Sequence, residues 1–453
     1  MRESTPLARR SVLRGMAAGT AGLTAGVATG AARTGETAGW EEILARLTGD
    51  CAIRGWPEAT PDRINLSGPD PVESGDVPDG GDLVIYIHGL GGQDAGTAFD
   101  GARQARGFEL ALREQQVDLP VVAGMWDSLI PPIEPERAAV VFADWLEENH
   151  AAYDNLFVFG HSLGGLVTVE ALNTLVERGS DATITDAGLF GAAVPPADVC
   201  GVYREALETT VEGGVYNYHS EGDTVICELG PIGVGEAGIG CQGTDCPDPP
   251  ENYLDIDLTG RVMGHCPFFM PESMEYRGES GVPAVVDQQF APRFDLPRGT
   301  VTGTVSDADD DTPRPDTPLA FIAGETLVRT TTSDADGEYE VTLPAGTYEI
   351  RGGPGVRTDT PTVTVTDGET ETVAITARIL TAVADTPPRD LNRDGRFEDI
   401  NGDGEFTIAD VQALFDNLDA SAIQDNPEAY DFSGTGGAVT IFDVQALFNG
   451  LSE

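Results

Sequence analysis

A chain of 453 residues with 40% hydrophobic side chains is too long for one ordinary domain and too apolar for a disordered polymer, so two or three folded domains are expected. Its 76 Asp and Glu stand against 26 basic residues, every one an Arg, for a formal charge of -50. That balance excludes nucleic acid as a partner and calls for a medium in which salt screens like charges over short distances.

The chain begins MRESTPLARRSVLRGMAAGTAGLTAGVATGAA, with Arg9 and Arg10 ahead of Val12 and Leu13 and then an acid-free Ala/Gly stretch. This resembles a twin-arginine export signal, assigned to residues 1–35. Its Gly and Thr content makes it a poor membrane span, so the mature chain is expected to have no span and to work outside the cell or at its surface. The charge balance, in turn, resembles that of proteins from extreme halophiles. In an exported chain the six cysteines, Cys51, Cys200, Cys227, Cys241, Cys246 and Cys266, read as disulfides. Cys241 and Cys246 are close enough in sequence to close a small loop; a zinc site competes, although two CxxC pairs are lacking.

Residues 36–296 alternate short apolar runs with longer amphipathic stretches. The runs are LVIYI (83–87), PVVAGMW (120–126), LFVFG (156–160), AGLFGAAV (187–194) and GVYNY (214–218). Between them lie helical patterns such as ERAAVVFADWLEENHAAY, opened by Pro135. The alternation predicts an α/β domain, a parallel sheet with crossover helices.

Within it, Gly160-His161-Ser162-Leu163-Gly164 follows the run LFVF and precedes apolar positions at helical spacing. A serine on a sharp strand-to-helix turn needs glycine neighbours for close approach, and it sits where helix amides favour developing negative charge. Such a serine needs a base and a group to orient it. If the order is serine, acid, histidine, Asp223 follows a later strand and His265 is the one histidine beyond it. His219 precedes Asp223 and reads as a strand-end packing residue, while Asp198 is the alternative acid. The oxyanion donors are expected to be the N–H groups of Leu163 and, in the glycine loop His88-Gly89-Leu90-Gly91-Gly92, of Leu90.

From the LVIYIHGLGG strand through GHSLGG to His265 the chain resembles a lipase/esterase-type α/β-hydrolase. The resemblance implies hydrolysis of a carboxylic ester through an acyl-enzyme, with no catalytic cofactor. The stretch 228–253, rich in Gly, Pro and Cys, holds no amphipathic helix of the kind that forms an interfacial lid.

Residues 297–380 change character, alternating Thr and Val with period two between turn pairs such as Asp336-Gly337 and Ala345-Gly346. An antiparallel β-sandwich is expected. The segment SDADGEYEVTLPAGTYEI resembles the transthyretin-like, carboxypeptidase regulatory-like domain, which implies a spacer or binding module.

Residues 381–453 contain the repeat TIADVQALFDNL and TIFDVQALFNGL, Thr407 and Thr440 lying 33 residues apart. Running into the first copy, Asp399, Asn401, Asp403, Thr407 and Asp410, with the carbonyl of Glu405 and a turn at Gly404, have calcium-loop spacing. Asp390, Asn392 and Asp394 offer a second acidic turn. Running into the second copy, Asp431 and Asp443 remain but Ser433 and Thr435 replace the middle ligands, so that loop is expected to bind calcium weakly or not at all. Two loop-helix units resemble a dockerin, implying structural calcium and a cohesin-like protein partner. Two other readings stay open: a surface-assembly or binding protein with a non-catalytic hydrolase fold, and a thioesterase, amidase or acyltransferase using the same triad.

Overall fold

The structure, a computed structural model, describes residues 56–451 apart from 61, 93–99, 129–134, 230–236, 275–278, 309–310, 325, 354, 360, 381–385 and 392–395. The export signal, Cys51, Asn392 and Asp394 therefore lie outside the described residues. The chain divides into two compact units between Phe294 and Asp295.

In the first unit eight strands form one sheet: β1 (Arg63–Asn65), β2 (Val72–Ser74), β3 (Gly81–Ile87), β4 (Val121–Met125), β5 (Tyr153–His161), β6 (Asp186–Phe190), β7 (Val215–His219) and β8 (Tyr253–Asp257). Their order is β2-β1-β4-β3-β5-β6-β7-β8, parallel throughout except for β2 on β1. The central strands read as unbroken apolar runs because both faces are covered. Along β5, Leu156 and Val158 enter a core with Trp126, Trp145 and Leu146. Phe157 and Phe159 point the other way, to Phe290, and Phe159 also meets Phe108 and Phe190. Each such side chain contributes roughly 1.5–3 kcal/mol on burial.

Three main crossover helices cover the sheet: α1 (Gly101–Glu114), α2 (Pro135–Asn149) and α3 (Leu163–Arg178). The pattern expected to stay helical to Tyr153 ends earlier. Asn149 Nδ2 donates to Trp145 O and the His150 ring meets Leu146 O, so side chains satisfy the last carbonyls and Tyr153 opens β5. The run AGLFGAAV likewise leaves the sheet after Phe190, where Gly191 turns the chain with φ +46°.

The cysteine pairing expected across Cys241 and Cys246 is wrong. Cys241 lies on the short helix Ile239–Gln242 and bonds Cys227, with 5.0 Å between Cα atoms; Cys246, beyond the turn at Gly243, bonds Cys200 at 6.2 Å. These bonds also remove the zinc reading for the four residues.

The second unit begins with a sandwich of nine strands from β9 (Arg298–Asp307) to β17 (Ile375–Ile379). One sheet runs β11-β10-β13-β15, from β10 (Pro318–Ala323), β11 (Thr326–Thr332), β13 (Gly346–Gly352) and β15 (Thr362–Val365). The other runs β12-β9-β17-β14, from β12 (Glu338–Pro344) and β14 (Val356–Thr358), with β16 (Thr370–Thr372) also on β9. It is not antiparallel throughout: β16 and β17 both run parallel to β9. The reason is that the Asp336-Gly337 and Ala345-Gly346 turns carry the chain between sheets instead of closing hairpins, so strands return to the free edge of β9 in its own direction.

Within the same unit, Leu380 joins a small core with Phe397, Ile400, Leu414, Tyr430 and Leu447. Helices α4 (Ile408–Asp416) and α5 (Ile441–Gly450) each open on a capping box, Thr407 with Asp410 and Thr440 with Asp443.

Candidate active site and candidate calcium loop

Ser162 stands between β5 and α3 with φ 56° and ψ -122°, a left-handed geometry that costs a non-glycine residue of order 1–3 kcal/mol. The glycines around it permit that turn. A Cβ on Gly160 would lie 2.5 Å from Gly164 O, and one on Gly164 would lie 2.1 Å from Ile87 O, so the first turn of α3 rests directly on β5 and β3. Ser162 is 6% exposed. Leu163 N–H, at the first helical position, has no intrahelical acceptor.

The loop after β3 reaches the same point. A Cβ on Gly89 would lie 2.6 Å from Ser162 Cβ and 3.2 Å from its Oγ. The backbone leading into Leu90 thus lies against the serine, and the Leu90 side chain packs partly buried on the core.

Asp223 follows β7 and is fully buried. Its Oδ1 accepts from the N–H groups of Val225 and Ile226, and its Oδ2 meets His265 Nδ1 at 2.7 Å. The Cys227–Cys241 bond ties the segment after this acid to the helix Ile239–Gln242. With Nδ1 engaged, His265 Nε2 is buried without a hydrogen-bond partner among the described residues. Asp198, the alternative acid, lies instead on the helix Pro196–Cys200. His219 ends β7 with Nδ1 3.9 Å from Asp257 Oδ1.

Two further imidazoles went unassigned in the sequence. His161 Nε2 lies 2.8 Å from His265 O, and the two rings are 4.4 Å apart. Burial, then the charge of His265, holds His161 well below the usual histidine range. His88 is fully buried at the end of β3, where burial pushes it down to about 4 against weaker upward pulls from Gly89 O and Asp100. Only the HG dipeptide marks it in the sequence.

In the tail, Asp399 Oδ1 and Oδ2 accept from Asp403 and Gly404 N–H, and Asp410 accepts from Asn401 and Thr407 N–H. Asn401 Oδ1 accepts from Asp403 N–H, and Asp403 Oδ1 from Glu405 N–H. Asp399 and Asp410 are both fully buried. Burial, joined by the charge of Asp410, raises the Asp399 carboxyl against the pull of its backbone amides. Among the described residues no three His, Cys, Asp or Glu side chains form a metal cluster. The donor set here is mixed, two enclosed carboxylates and the exposed one of Asp403 with amide, hydroxyl and carbonyl oxygens, and hard oxygens of this kind fit calcium. Asp390 lies beside Arg389, whose Nε is 3.9 Å from Asp399 Oδ2.

The second loop repeats the four backbone bonds to its end carboxylates. Asp431 accepts from Thr435 and Gly436 N–H, and Asp443 from Ser433 and Thr440 N–H. Ser433 and Thr435 bond each other at 2.9 Å where the first loop has Asn401 and Asp403. Burial works against the Asp443 carboxylate, but bonds from Thr440 and Ser433 hold it below its usual range.

A family model of the carboxypeptidase regulatory-like domain matches residues 300–378, the sandwich alone. No curated protein sequence matches the chain. Among solved structures, an esterase from Pyrobaculum calidifontis is similar at 15% identity over 58% of this chain and 90% of that one, with a TM-score of 0.29. Est1E from Butyrivibrio proteoclasticus is similar at 13% identity over 48% and 90%, also at 0.29. GBS52, the minor pilin of Streptococcus agalactiae, is similar at 15% identity over 19% and 46%, with a TM-score of 0.16. This chain spans less than half of that pilin, and 20% of the Bacillus anthracis TIE protein. At such TM-scores these likenesses carry no weight for function.

Proposed function

We propose that the chain is an exported serine hydrolase that cleaves carboxylic esters through an acyl-enzyme. The observation that carries the reading is the 2.7 Å contact between His265 Nδ1 and Asp223 Oδ2 at the carboxyl ends of parallel strands, with His265 packed on His161, the residue before Ser162 and its strained backbone. Asp223 holds the imidazole with its proton on Nδ1, leaving Nε2 as the base. Ser162 Oγ attacks the ester carbonyl as its proton passes to His265 Nε2, and the N–H groups of Leu163 and Leu90 stabilise the oxyanion. Collapse of the tetrahedral adduct breaks the C–O bond, and the alcohol leaves with that proton. Water, activated by the same nitrogen, then releases the acid and regenerates Ser162.

The Cys200–Cys246 and Cys227–Cys241 disulfides support export to an oxidising compartment. No helix among the described residues is long and apolar enough to cross a membrane. In the tail, Asp399, Asn401, Asp403, Thr407, Asp410 and the carbonyl of Glu405 would hold one calcium ion, with structural effect only. The resemblance to dockerins extends the proposal to a cohesin-like partner. The exposed residues Ile408, Phe415, Ile441 and Phe448 on the two helices support a protein-docking role.

Turnover of short p-nitrophenyl esters in high salt by wild type and Ser162→Ala tests the core of this reading. The variant is expected to lose activity by 10³-fold or more, roughly, and to stop reacting with a fluorophosphonate probe. Equal turnover by both would reject Ser162 as nucleophile. A wild type that neither turns over nor labels would favour a non-catalytic binding protein.

A further inference from the structure

We infer that His88 is a positioning residue, a neutral imidazole strut that fixes the backbone of residues 88–92 so that Leu90 N–H stays aimed at Ser162. The inference rests on the reading of Ser162 as nucleophile. Both ring nitrogens of His88 are engaged: Nδ1 lies 2.8 Å from Gly89 O, and Nε2 lies 3.1 Å from Trp126 N. A carbonyl can only accept and a backbone N–H can only donate, so Nδ1 carries the proton and Nε2 accepts. An imidazolium would set two donors against each other at Trp126.

The surroundings leave the ring no second position. The Trp126 indole stacks on it at 5.8 Å and 10°, and its Nε1–H donates to His88 O at 2.7 Å. Cβ atoms on Gly92 and Gly101 would lie 2.1 Å from His88 Nδ1 and 2.4 Å from its Cδ2, so both backbones press on the imidazole. Gly101 N–H closes the ring of contacts by donating to Gly92 O at 2.6 Å. One side chain therefore joins the ends of β3 and β4 to the start of α1. The residue it bonds through Nδ1, Gly89, is the one whose backbone lies against Ser162. His88 touches no reacting atom; its action passes through the loop.

The test uses the full chain in high salt with a short p-nitrophenyl ester, reading kcat, KM, fluorophosphonate labelling and Tm for wild type, His88→Ala, His88→Gln and Trp126→Phe. A misplaced transition-state donor lowers kcat and spares KM, so His88→Ala is expected to lose about 10²-fold in kcat with KM changed less than about threefold. His88→Gln, whose amide can both donate and accept, is expected to regain roughly tenfold of that loss, and Trp126→Phe to lose roughly tenfold. A folded His88→Ala with kcat within about twofold of wild type, a loss confined to KM, or a Gln variant no better than Ala would overturn the inference. Should both His88 variants fail to fold, Trp126→Phe decides, and an unchanged kcat overturns it. A wild type that neither turns over nor labels refutes the nucleophile reading itself, and the inference falls with it.

Discussion

Gly191 adopts φ +46°, and a Cβ there would lie 2.7 Å from Asp223 Oδ2 and 3.5 Å from His265 Nδ1. Gly191→Ala is therefore expected to push the carboxylate off the imidazole while adding about 1–2 kcal/mol of backbone strain. Activity should fall by roughly 10–10²-fold with the chain still folded, read as kcat beside a circular dichroism melt. Near-normal kcat would mean that Asp223 tolerates displacement, and the orienting role would fail. His88 adds a pH prediction. Its folded value, about 4, lies below the ordinary 6.5, so the unfolded chain binds the proton more readily. This contribution to stability is complete above pH 6.5 and is lost as pH falls toward 4, on the order of 3 kcal/mol at its limit. The charge of Asp100 pulls His88 upward, and buried His161, itself held well below the usual histidine range, faces the same region. The Tm difference between wild type and His88→Gln should shrink from pH 7.5 to pH 4.5; a constant difference would mean that His88 does not titrate in this window.

At the scale of elements, the duplicated loops make one network with two chemistries. In the first, the two side chains between the end carboxylates are Asn401 and Asp403; in the second, Ser433 and Thr435 satisfy each other. The expected calcium stoichiometry is one ion per chain, lost in Asp399→Ala and retained in Asp431→Asn, by isothermal titration. Two ions in the wild type would show that the hydroxyl pair gives way to metal. Chelation is expected to unfold residues 390–453 and leave ester turnover intact, which far-UV circular dichroism and an activity assay measure together. How far elements were legible follows from what each one buries. LVIYI and LFVFG announced β3 and β5 because both faces are covered and nothing polar interrupts them. YLDID gave no such signal for β8, an edge strand on which Tyr253 alone is buried. Helix α1, GARQARGFELALRE, was hidden by two glycines and three arginines, although Ala102, Ala105, Phe108 and Leu112 lie on its buried face. In the candidate site, Ser162, Asp223 and His265 could be ordered along the chain, but the contacts of His88 with Trp126 span 38 residues and the Cys227–Cys241 bond spans 14, and no periodicity encodes either.

Across the whole chain, 76 acids and 26 arginines make self-repulsion the dominant long-range force. The arginines are spent locally. Arg178 bridges Asp144 and Glu147 on α2, Arg113 joins Glu109 to Asp118 around α1, and Arg293 grips buried Asp186. Such pairs neutralise a minority of the carboxylates, and the exposed ones are worth about 0–1 kcal/mol each. Screening must carry the remainder, and its range shrinks from about 10 Å at 0.1 M salt to about 3 Å at 1 M. Tm is therefore expected to rise steeply with NaCl between roughly 0.1 and 1 M and to flatten above, once the range falls below ordinary spacings between surface charges. Sucrose at matched osmolality should raise Tm less, because its exclusion from the surface favours the compact state without screening charge. A Tm independent of NaCl, or one that sucrose raises equally, would mean that screening of the acidic surface does not stabilise this fold.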